Sequence, residues 1–223
     1  MQKMPLVLVR RRRENTPMLS VEDVMVPVPA EGERVDPMSW FSSPGPFELE
    51  IGSGKGGFLV SRAMAHPRIR MLGIEWANKY YKYTADRLLR RGIKNVRVMR
   101  ADAKFFVIHH LPPDCIDVLH LYHPDPWPKA RHHKRRLVQP EFVEAMVGAL
   151  KPGGRWIVQS DHEEYFTRIR DLLHARAELS QIPWDKREST PGPDWEGTNF
   201  EIKYVRAGRD IYRAAFMKRS CCE

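Results

Sequence analysis

The segment at residues 122–136 combines residue types that folding alone does not require next to one another. Asp125 and Trp127 each lie between two prolines. Each proline fixes its own φ and disfavours helix at the residue before it, so the sequence predicts a rigid extended loop at both residues. A carboxylate held in such a loop can be aimed at a ligand and can stabilise a positive charge that develops there.

The second half of this segment is densely basic. Five permanent cations, with two histidines between them, lie within eight residues: Lys129, Arg131, Lys134, Arg135 and Arg136, with His132 and His133. Such a run is typical of a surface that binds a polyanion. The chain also has 37 Lys and Arg against 28 Asp and Glu, which favours nucleic acid as the partner, with an acidic membrane surface as the second candidate. The alternative is a proline-rich surface loop that leads into a solvated basic helix.

Composition narrows the class of protein. A chain of 223 residues is long enough for one domain with a well-buried core. No apolar run could span a bilayer and no signal peptide is evident, so we expect a cytoplasmic protein without membrane association. Three cysteines cannot form a disulfide framework, and pairs such as His120 and His123 or His132 and His133 are weak metal ligands without cysteine partners, so we expect no metal.

A glycine-rich turn follows the first predicted strand, at residues 47–51. Gly52 and Gly54 lie in this turn, and helical spacing begins at Phe58. Strand, glycine turn and helix in this order form the first half of a nucleotide-type binding unit, because glycines let the backbone approach a ligand closely. The acidic Glu50 before the glycines favours a ligand with a cationic group over a pyrophosphate.

Three successive predicted strands each end near a carboxylate. Glu50 lies at the end of the first, Glu75 follows the strand at 70–74, and Asp102 follows the strand at 96–101. In open α/β sheets ligands bind at the carboxyl ends of the strands, and an acid after the second strand can accept both hydroxyls of a ribose. A single acid in such a position is usually a surface residue, but the repetition indicates a ligand site.

The remaining pattern alternates helices and strands. We expect helices at 79–91, 104–110, 141–150 and 163–176, and strands at 115–122, 155–160 and 211–216. Gly92 is a candidate C-cap for the first of these helices, and Asp161 a candidate N-cap for the last. This order predicts an α/β fold with a doubly wound, mostly parallel sheet in one domain at residues 40–219. Residues 1–39, with arginines at 10–13, are predicted to be a partly mobile extension wrapped on the domain.

Five motifs occur in order along the chain: Glu50-Ile51-Gly52-x-Gly54-x-Gly56, Gly73-Ile74-Glu75, Arg100-Ala101-Asp102-Ala103, Pro124-Asp125-Pro126-Trp127-x-Lys129-Ala130-Arg131-His132-x-Lys134-Arg135-Arg136, and Thr198-x-Phe200-Glu201. Together they resemble the motifs of the bacterial tRNA (guanine-N(7)-)-methyltransferases, the TrmB family. The resemblance runs from Trp40 to the C-terminal strand. It implies a Rossmann-like class I methyltransferase that moves a methyl group from S-adenosylmethionine to the position-7 nitrogen of a guanine in the variable loop of tRNA.

The resemblance also implies roles for individual residues. The cofactor contacts would be Glu50, Glu75, Asp102 and Asp125, together with the glycine turn, and Asp125 would also be the catalytic residue. The substrate contacts would be Lys129, Asp161, Thr198, Asn199, Phe200 and Glu201, while the basic run would hold tRNA phosphates. Ser53 and Pro128 stand where the family often has an aromatic residue and a histidine, which affects fine geometry only.

Two other classes of protein compete with this interpretation. A non-catalytic RNA-binding protein on a methyltransferase fold is disfavoured because every acidic motif position is present. A methyltransferase that acts on a protein or a small molecule is disfavoured by the basic run. The oligomeric state, monomer or homodimer, does not follow from the sequence.

Overall fold

Strands and helices alternate along the described part of the chain, residues 20–185 and 207–220 of this computed structural model. The helices are α1 (Gly57–Ala65), α2 (Asn78–Arg91), α3 (Ala103–His109), α4 (Pro140–Ala149) and α5 (Glu163–His174). The strands are β1 (Phe47–Ile51), β2 (Arg70–Ile74), β3 (Val96–Met99), β4 (Ile116–Tyr122), β5 (Leu150–Ser160), β6 (Leu179–Ile182) and β7 (Tyr212–Lys218). Short 3-10 helices occur at Pro37–Trp40 and Ala130–Arg135.

The seven strands form one sheet in the order β3-β2-β1-β4-β5-β7-β6. The first five strands in the chain are parallel, and β7 runs antiparallel to β5 and to β6. The chain changes direction across the sheet between β1 and β4, which is the switch point at which such sheets bind ligands. The predicted doubly wound, mostly parallel sheet is therefore confirmed.

Helices cover both faces of the sheet, and each face has its own apolar core. On one face, Phe58 of α1 and Leu88 of α2 pack in a buried cluster with strand residues such as Val98. On the other face, α3, α4 and α5 pack against residues that include Leu49 and Leu119. Because side chains alternate along a strand, the apolar Phe47, Leu49 and Ile51 share the second face, and the two glutamates of β1 point toward α1 and α2.

Part of the predicted N-terminal extension packs on the domain. Met25 bridges to Val98 in parallel, with hydrogen bonds on both sides of it, so the segment extends the sheet edge at β3. Val24 is fully buried there. Arg10, Arg11, Arg12 and Arg13 lie outside the described residues.

Three features of the strands and helices differ from the sequence prediction by more than a shift of one or two residues at an end. β6 was not predicted, because its alternation is too short to stand out. β5 begins at Leu150 rather than 155, because Leu150 already pairs with Ile116 of β4. Gly154 allows the two strands to approach, since a Cβ there would lie 2.9 Å from the carbonyl oxygen of Ile116. The N-cap of α5 is His162, whose side chain accepts from the amide of Tyr165, so the prediction that Asp161 caps this helix is wrong.

Candidate active site

Four acidic residues meet at one edge of the sheet. Glu50 is the last residue but one of β1, and Glu75 directly follows β2; Asp102 and Asp125 lie three residues beyond the ends of β3 and β4. These four strands are neighbours in the sheet, so their carboxyl ends form one continuous edge. The structure thus brings together all four residues that the sequence assigned to a cofactor site, at the switch point between β1 and β4.

The glycine turn between β1 and α1 is held by hydrogen bonds to the end of β2 and by close packing against α2. The amides of Gly52 and Ser53 both donate to the carbonyl oxygen of Ile74, at 2.9 and 3.2 Å. Gly56 has a φ of +65° and presses on Thr84 of α2 so closely that a Cβ there would lie 2.3 Å from Cγ2 of Thr84. Only glycine fits that position, so the turn is fixed against both elements.

Glu75 fastens the turn to the start of α2. Its Oε2 accepts from the amide of Gly54 at 2.8 Å, and its Oε1 accepts from the amide of Ala77 at 2.7 Å. Each carboxylate oxygen has a second acceptor position, so Glu75 can shape the turn and still accept hydroxyls of a ligand.

Glu50 is a buried carboxyl group beside this turn, and its Oε2 has no hydrogen-bond partner. Burial raises the pKa of Glu50 to about 8, and the neighbouring charge of Glu75 contributes to the increase. A positively charged ligand group would satisfy the oxygen and relieve the repulsion between the two carboxylates. The site therefore fits a cationic ligand such as a sulfonium or an ammonium group.

We predict that Glu50→Gln stabilises the protein measured without ligand, and more so at alkaline pH. Between pH 4.5 and 8 the folded chain keeps the Glu50 proton while the unfolded chain has lost it, so native stability declines as the pH rises through this window. The advantage of the variant should reach on the order of 2 kcal/mol at pH 8. Urea unfolding at pH 5, 6.5 and 8 measures it. With the exposed Glu144→Gln as control, an advantage that does not change with pH would contradict the assignment.

A buried polar network lies on the α1 side of the sheet and was missed by the sequence analysis. Glu48 accepts from Nε and Nη2 of Arg62 at 3.0 and 2.8 Å, and from Nε2 of His120 at 2.8 Å. Nδ1 of His120 in turn accepts from the hydroxyl of Tyr122 at 2.9 Å. The signal available in the sequence was the presence of Glu48 and His120 at inward positions of otherwise apolar strands.

The charges in this network are well defined. Burial by itself would raise the pKa of Glu48, but the hydrogen bonds from His120 and Arg62, together with the charge of Arg62, outweigh it and lower that pKa to about 2. Burial lowers the pKa of His120, which is therefore neutral and donates through Nε2. The pair that carries charge is Arg62 with Glu48, and it ties α1 to β1 below the glycine turn.

The loop after β4 is rigid but is not extended throughout. Trp127 has a φ of +42°, in the left-handed region, so the prediction of extended backbone is wrong at this residue. The Trp127 ring packs edge-on against His132, and the guanidinium of Arg135 lies 5.1 Å from the ring centre. A backbone conformation of this kind persists only where surrounding contacts hold it, and these contacts hold the Trp127 side chain.

Arg136 has a structural role rather than the predicted contact with tRNA phosphates. It is buried and forms a bidentate pair with Glu164 at 2.9 and 2.5 Å. Its Nε donates to the carbonyl oxygen of Pro126, and its guanidinium lies over the ring of Tyr165 at 4.7 Å. Its donors are thus engaged within the protein. Arg136 links α5 to the loop that contains Asp125.

The other cations of the run remain accessible. Lys129, Arg131, Lys134 and Arg135 are exposed on and before the 3-10 helix at Ala130–Arg135. They lie next to the Asp125 loop at the carboxyl end of β4. The run is therefore placed beside the acidic edge, where a polyanionic substrate of that site would lie.

The remaining predicted site residues differ in what the structure shows of them. Asp102 is exposed and caps α3 by accepting from the amide of Phe105. Asp161 accepts from Arg209 at 2.8 Å and lies 3.3 Å from Nδ1 of His123. Neither His123 nor Arg209 was predicted as a site residue, since their proximity depends on β4, β5 and the chain before β7. Thr198, Asn199, Phe200 and Glu201 lie outside the described residues.

Residues 20–185 and 207–220 contain neither a metal site nor a membrane-spanning helix. No group of three or more His, Cys, Asp or Glu side chains there could hold a metal ion. His120 and His123 face different partners, Glu48 and Asp161, and so do not converge. No helix within these ranges is long and apolar enough to cross a membrane.

Comparison with known sequences gives one consistent result. A protein-family model described as "Putative methyltransferase" matches residues 44–214. The chain is 34% identical to the tRNA (guanine-N(7)-)-methyltransferase of Nitrosospira multiformis, over 95% of this chain and 93% of that protein. It is also 34% identical to the protein of the same name from Myxococcus xanthus, over 82% and 89% of the two chains.

Solved structures support the fold. The aminoglycoside resistance methyltransferase NpmB1 aligns with a TM-score of 0.52 at 18% identity, over 79% of this chain and 89% of its own. A SAM-dependent methyltransferase from Aquifex aeolicus aligns with a TM-score of 0.53 at 14% identity, over 79% and 84% of the two chains. At such low identity these likenesses concern the fold alone, which is the Rossmann-like fold of SAM-dependent methyltransferases.

Proposed function

The chain belongs to the tRNA (guanine-N(7)-)-methyltransferase family, and we propose on that premise that it methylates the position-7 nitrogen of a guanine in the variable loop of tRNA. The methyl donor is S-adenosylmethionine. The observation that carries the proposal is the edge at which a buried, unpartnered carboxyl group lies beside further acids and next to an exposed basic run. No observation favours the non-catalytic alternative.

The acidic edge supports the assignment of the cofactor. S-adenosylmethionine supplies a methyl group on a positively charged sulfur when it is bound. The residues that would hold the cofactor are Glu50, Glu75 and Asp102, with the backbone of Gly52 and Gly54. Glu50 would offset positive charge, Glu75 would accept ribose hydroxyls, and the glycines would leave room for the ligand beside the turn.

Asp125 is the residue that we assign to the chemical step. The acceptor nitrogen of guanine has a free lone pair, so no proton must leave before methyl transfer and no strong general base is needed. Asp125 would accept hydrogen bonds from the donor edge of guanine and stabilise the positive charge that the purine gains. The Arg136 contact to Pro126 keeps the loop in place while this charge develops.

The exposed cations would bind phosphates while the guanine is turned out of its stack. We predict that Lys134→Ala/Arg135→Ala weakens tRNA binding. The negative slope of log affinity against log salt should become less steep by roughly 1.4 to 1.8, the value for two lost phosphate contacts. Fluorescence anisotropy at several salt concentrations measures the slope. The matched control is Arg91→Ala/Lys94→Ala, which removes two exposed cations at the opposite edge of the sheet. An unchanged slope in the first variant would mean that the run is only a solvated surface.

The proposed function is tested by mass spectrometry of tRNA nucleosides after incubation of unmodified tRNA with the protein and S-adenosylmethionine. We expect 7-methylguanosine, mapped to the variable loop. Binding of S-adenosylmethionine without any methylated nucleoside would favour the non-catalytic RNA-binding protein instead. A methylated protein or small molecule with no methylated tRNA would favour a different acceptor. We further propose that the enzyme acts in the cytoplasm, as a monomer or homodimer.

A further inference from the structure

The N-terminal part of α2 is largely exposed and lies at the edge where the acidic residues lie. The buried residues of α2 are Thr84, Ala85 and Leu88, which lie at or beyond the seventh of its 14 residues. None of the six residues before them, 78–83, is buried, and Tyr81 alone is half-buried. At 1.5 Å per residue this part of the helix is about 9 Å long, and Tyr81 is its one residue that packs against the described core.

The exposed residues 78–83 combine lysines and tyrosines in a way that helix stability does not favour. Lys79 lies in the first turn, where no acidic residue occurs, although the helix dipole favours acids at that end. Tyr80 is 38% exposed and Tyr83 is 50% exposed, and Lys82 lies between them. Residues that are unfavourable for the local structure are expected at surfaces that have a function.

The position of this surface is fixed relative to the active site. The hydroxyl of Thr84 donates to the carbonyl oxygen of Gly54, and the guanidinium of Arg87 donates to the carbonyl oxygen of Lys55. The same guanidinium lies 5.9 Å from the ring centre of Tyr83. α2 is thus joined directly to the glycine turn, and its largely exposed first six residues lie beside that turn.

We propose that the exposed surface formed by Lys79, Tyr80, Lys82 and Tyr83 is a second contact for the tRNA substrate. The proposal rests on the proposed function. Lysine side chains bind phosphates, and exposed tyrosines stack on unpaired bases, which is the combination that single-stranded nucleic acid requires. The exposed surface follows β2 and the basic run follows β4. These strands are separated in the sheet by β1 alone, so their carboxyl ends are about 10 Å apart. One RNA can therefore contact both sides of the acidic edge.

Charge favours RNA over a second copy of this chain as the occupant. α2 contains five basic residues and a single acid, Asp86, which already pairs with Arg90 at 2.8 Å. A symmetric contact of this surface with itself would bring like charges together. A polyanion that is already held by the neighbouring basic run has no such cost.

The test compares two double variants of the full chain, Lys79→Ala/Lys82→Ala and Tyr80→Leu/Tyr83→Leu. The control is Arg91→Ala/Lys94→Ala, at and just beyond the other end of the same helix. For the lysine variant we expect the slope of log tRNA affinity against log salt to become less steep by roughly 1.4 to 1.8. For the tyrosine variant we expect about 10-fold weaker binding at an unchanged slope. The control should match the parent, and S-adenosylmethionine binding should be the same in all four proteins.

The outcomes separate this proposal from the proposed function. If the parent methylates tRNA and both variants bind tRNA as the parent does, the second contact is overturned while the function stands. If the tyrosine variant instead changes the mass measured by sedimentation and leaves tRNA binding intact, the surface joins two copies of the chain and the proposal is wrong. If the parent itself neither binds nor methylates tRNA, the proposed function fails and this contact fails with it.

Discussion

Asp125→Asn is expected to lower the rate of single-turnover methyl transfer by about 10²-fold or more, the scale for losing one preorganised electrostatic contact. Asn has nearly the same size and shape as Asp, so the loop should keep its conformation. The adjacent Pro126 remains anchored by Arg136, which donates to its carbonyl oxygen at 2.8 Å. The variant loses the negative charge that meets the developing purine cation and should keep much of the affinity for tRNA.

The rate is measured with saturating tRNA and S-adenosylmethionine, so that weaker binding cannot imitate a slower chemical step. Asp114→Asn is a matched control, because Asp114 is an exposed acid that precedes the same strand at the opposite edge and pairs with Lys218. Its φ of +50° is one that Asn also adopts readily. If Asp125→Asn transfers methyl at close to the parent rate, Asp125 is a structural loop acid and the assignment of the chemical step is wrong.

Arg62→Met is expected to destabilise the folded protein by about 3 kcal/mol, because it leaves the buried Glu48 without its cationic partner. The Arg62 and Glu48 side chains are only 8% and 4% exposed, so water cannot replace the lost contact. For a domain of this size the change corresponds to a decrease in Tm of roughly 6 to 12 °C. Differential scanning calorimetry at pH 7 measures it.

The double variant Glu48→Gln/Arg62→Met separates the charge from the packing. It removes the buried carboxylate as well as the guanidinium and should recover part of the lost stability. The parent should also lose stability as the pH falls from 4.5 toward 2, because Glu48 stays ionised there only in the folded chain. The double variant should lack that part of the acid dependence. A single variant within 1 °C of the parent would contradict a stabilising role for the pair.

The sequence by itself determined the features that depend on neighbouring residues. The bounds of β1 follow from its alternation of apolar and acidic residues, and those of β2 from a short, mostly apolar run. The end of α2 follows from Gly92, whose φ of +64° is the left-handed cap that glycine allows. The recurrence of acids at strand ends predicted a common edge, because parallel strands of one sheet place their carboxyl ends together. The family resemblance then supplied the expected roles of these acids.

The tertiary structure alone decided which charged groups are free to act. In the sequence Arg136 is equivalent to Arg135, yet one is buried against Glu164 and the other lies exposed above Trp127. Glu48 and Glu50 are likewise similar in sequence, but Glu48 is ionised by Arg62 while Glu50 keeps its proton beside Glu75. Burial and charge partners set these properties, and both come from elements far apart in the chain. For that reason no local pattern could assign them.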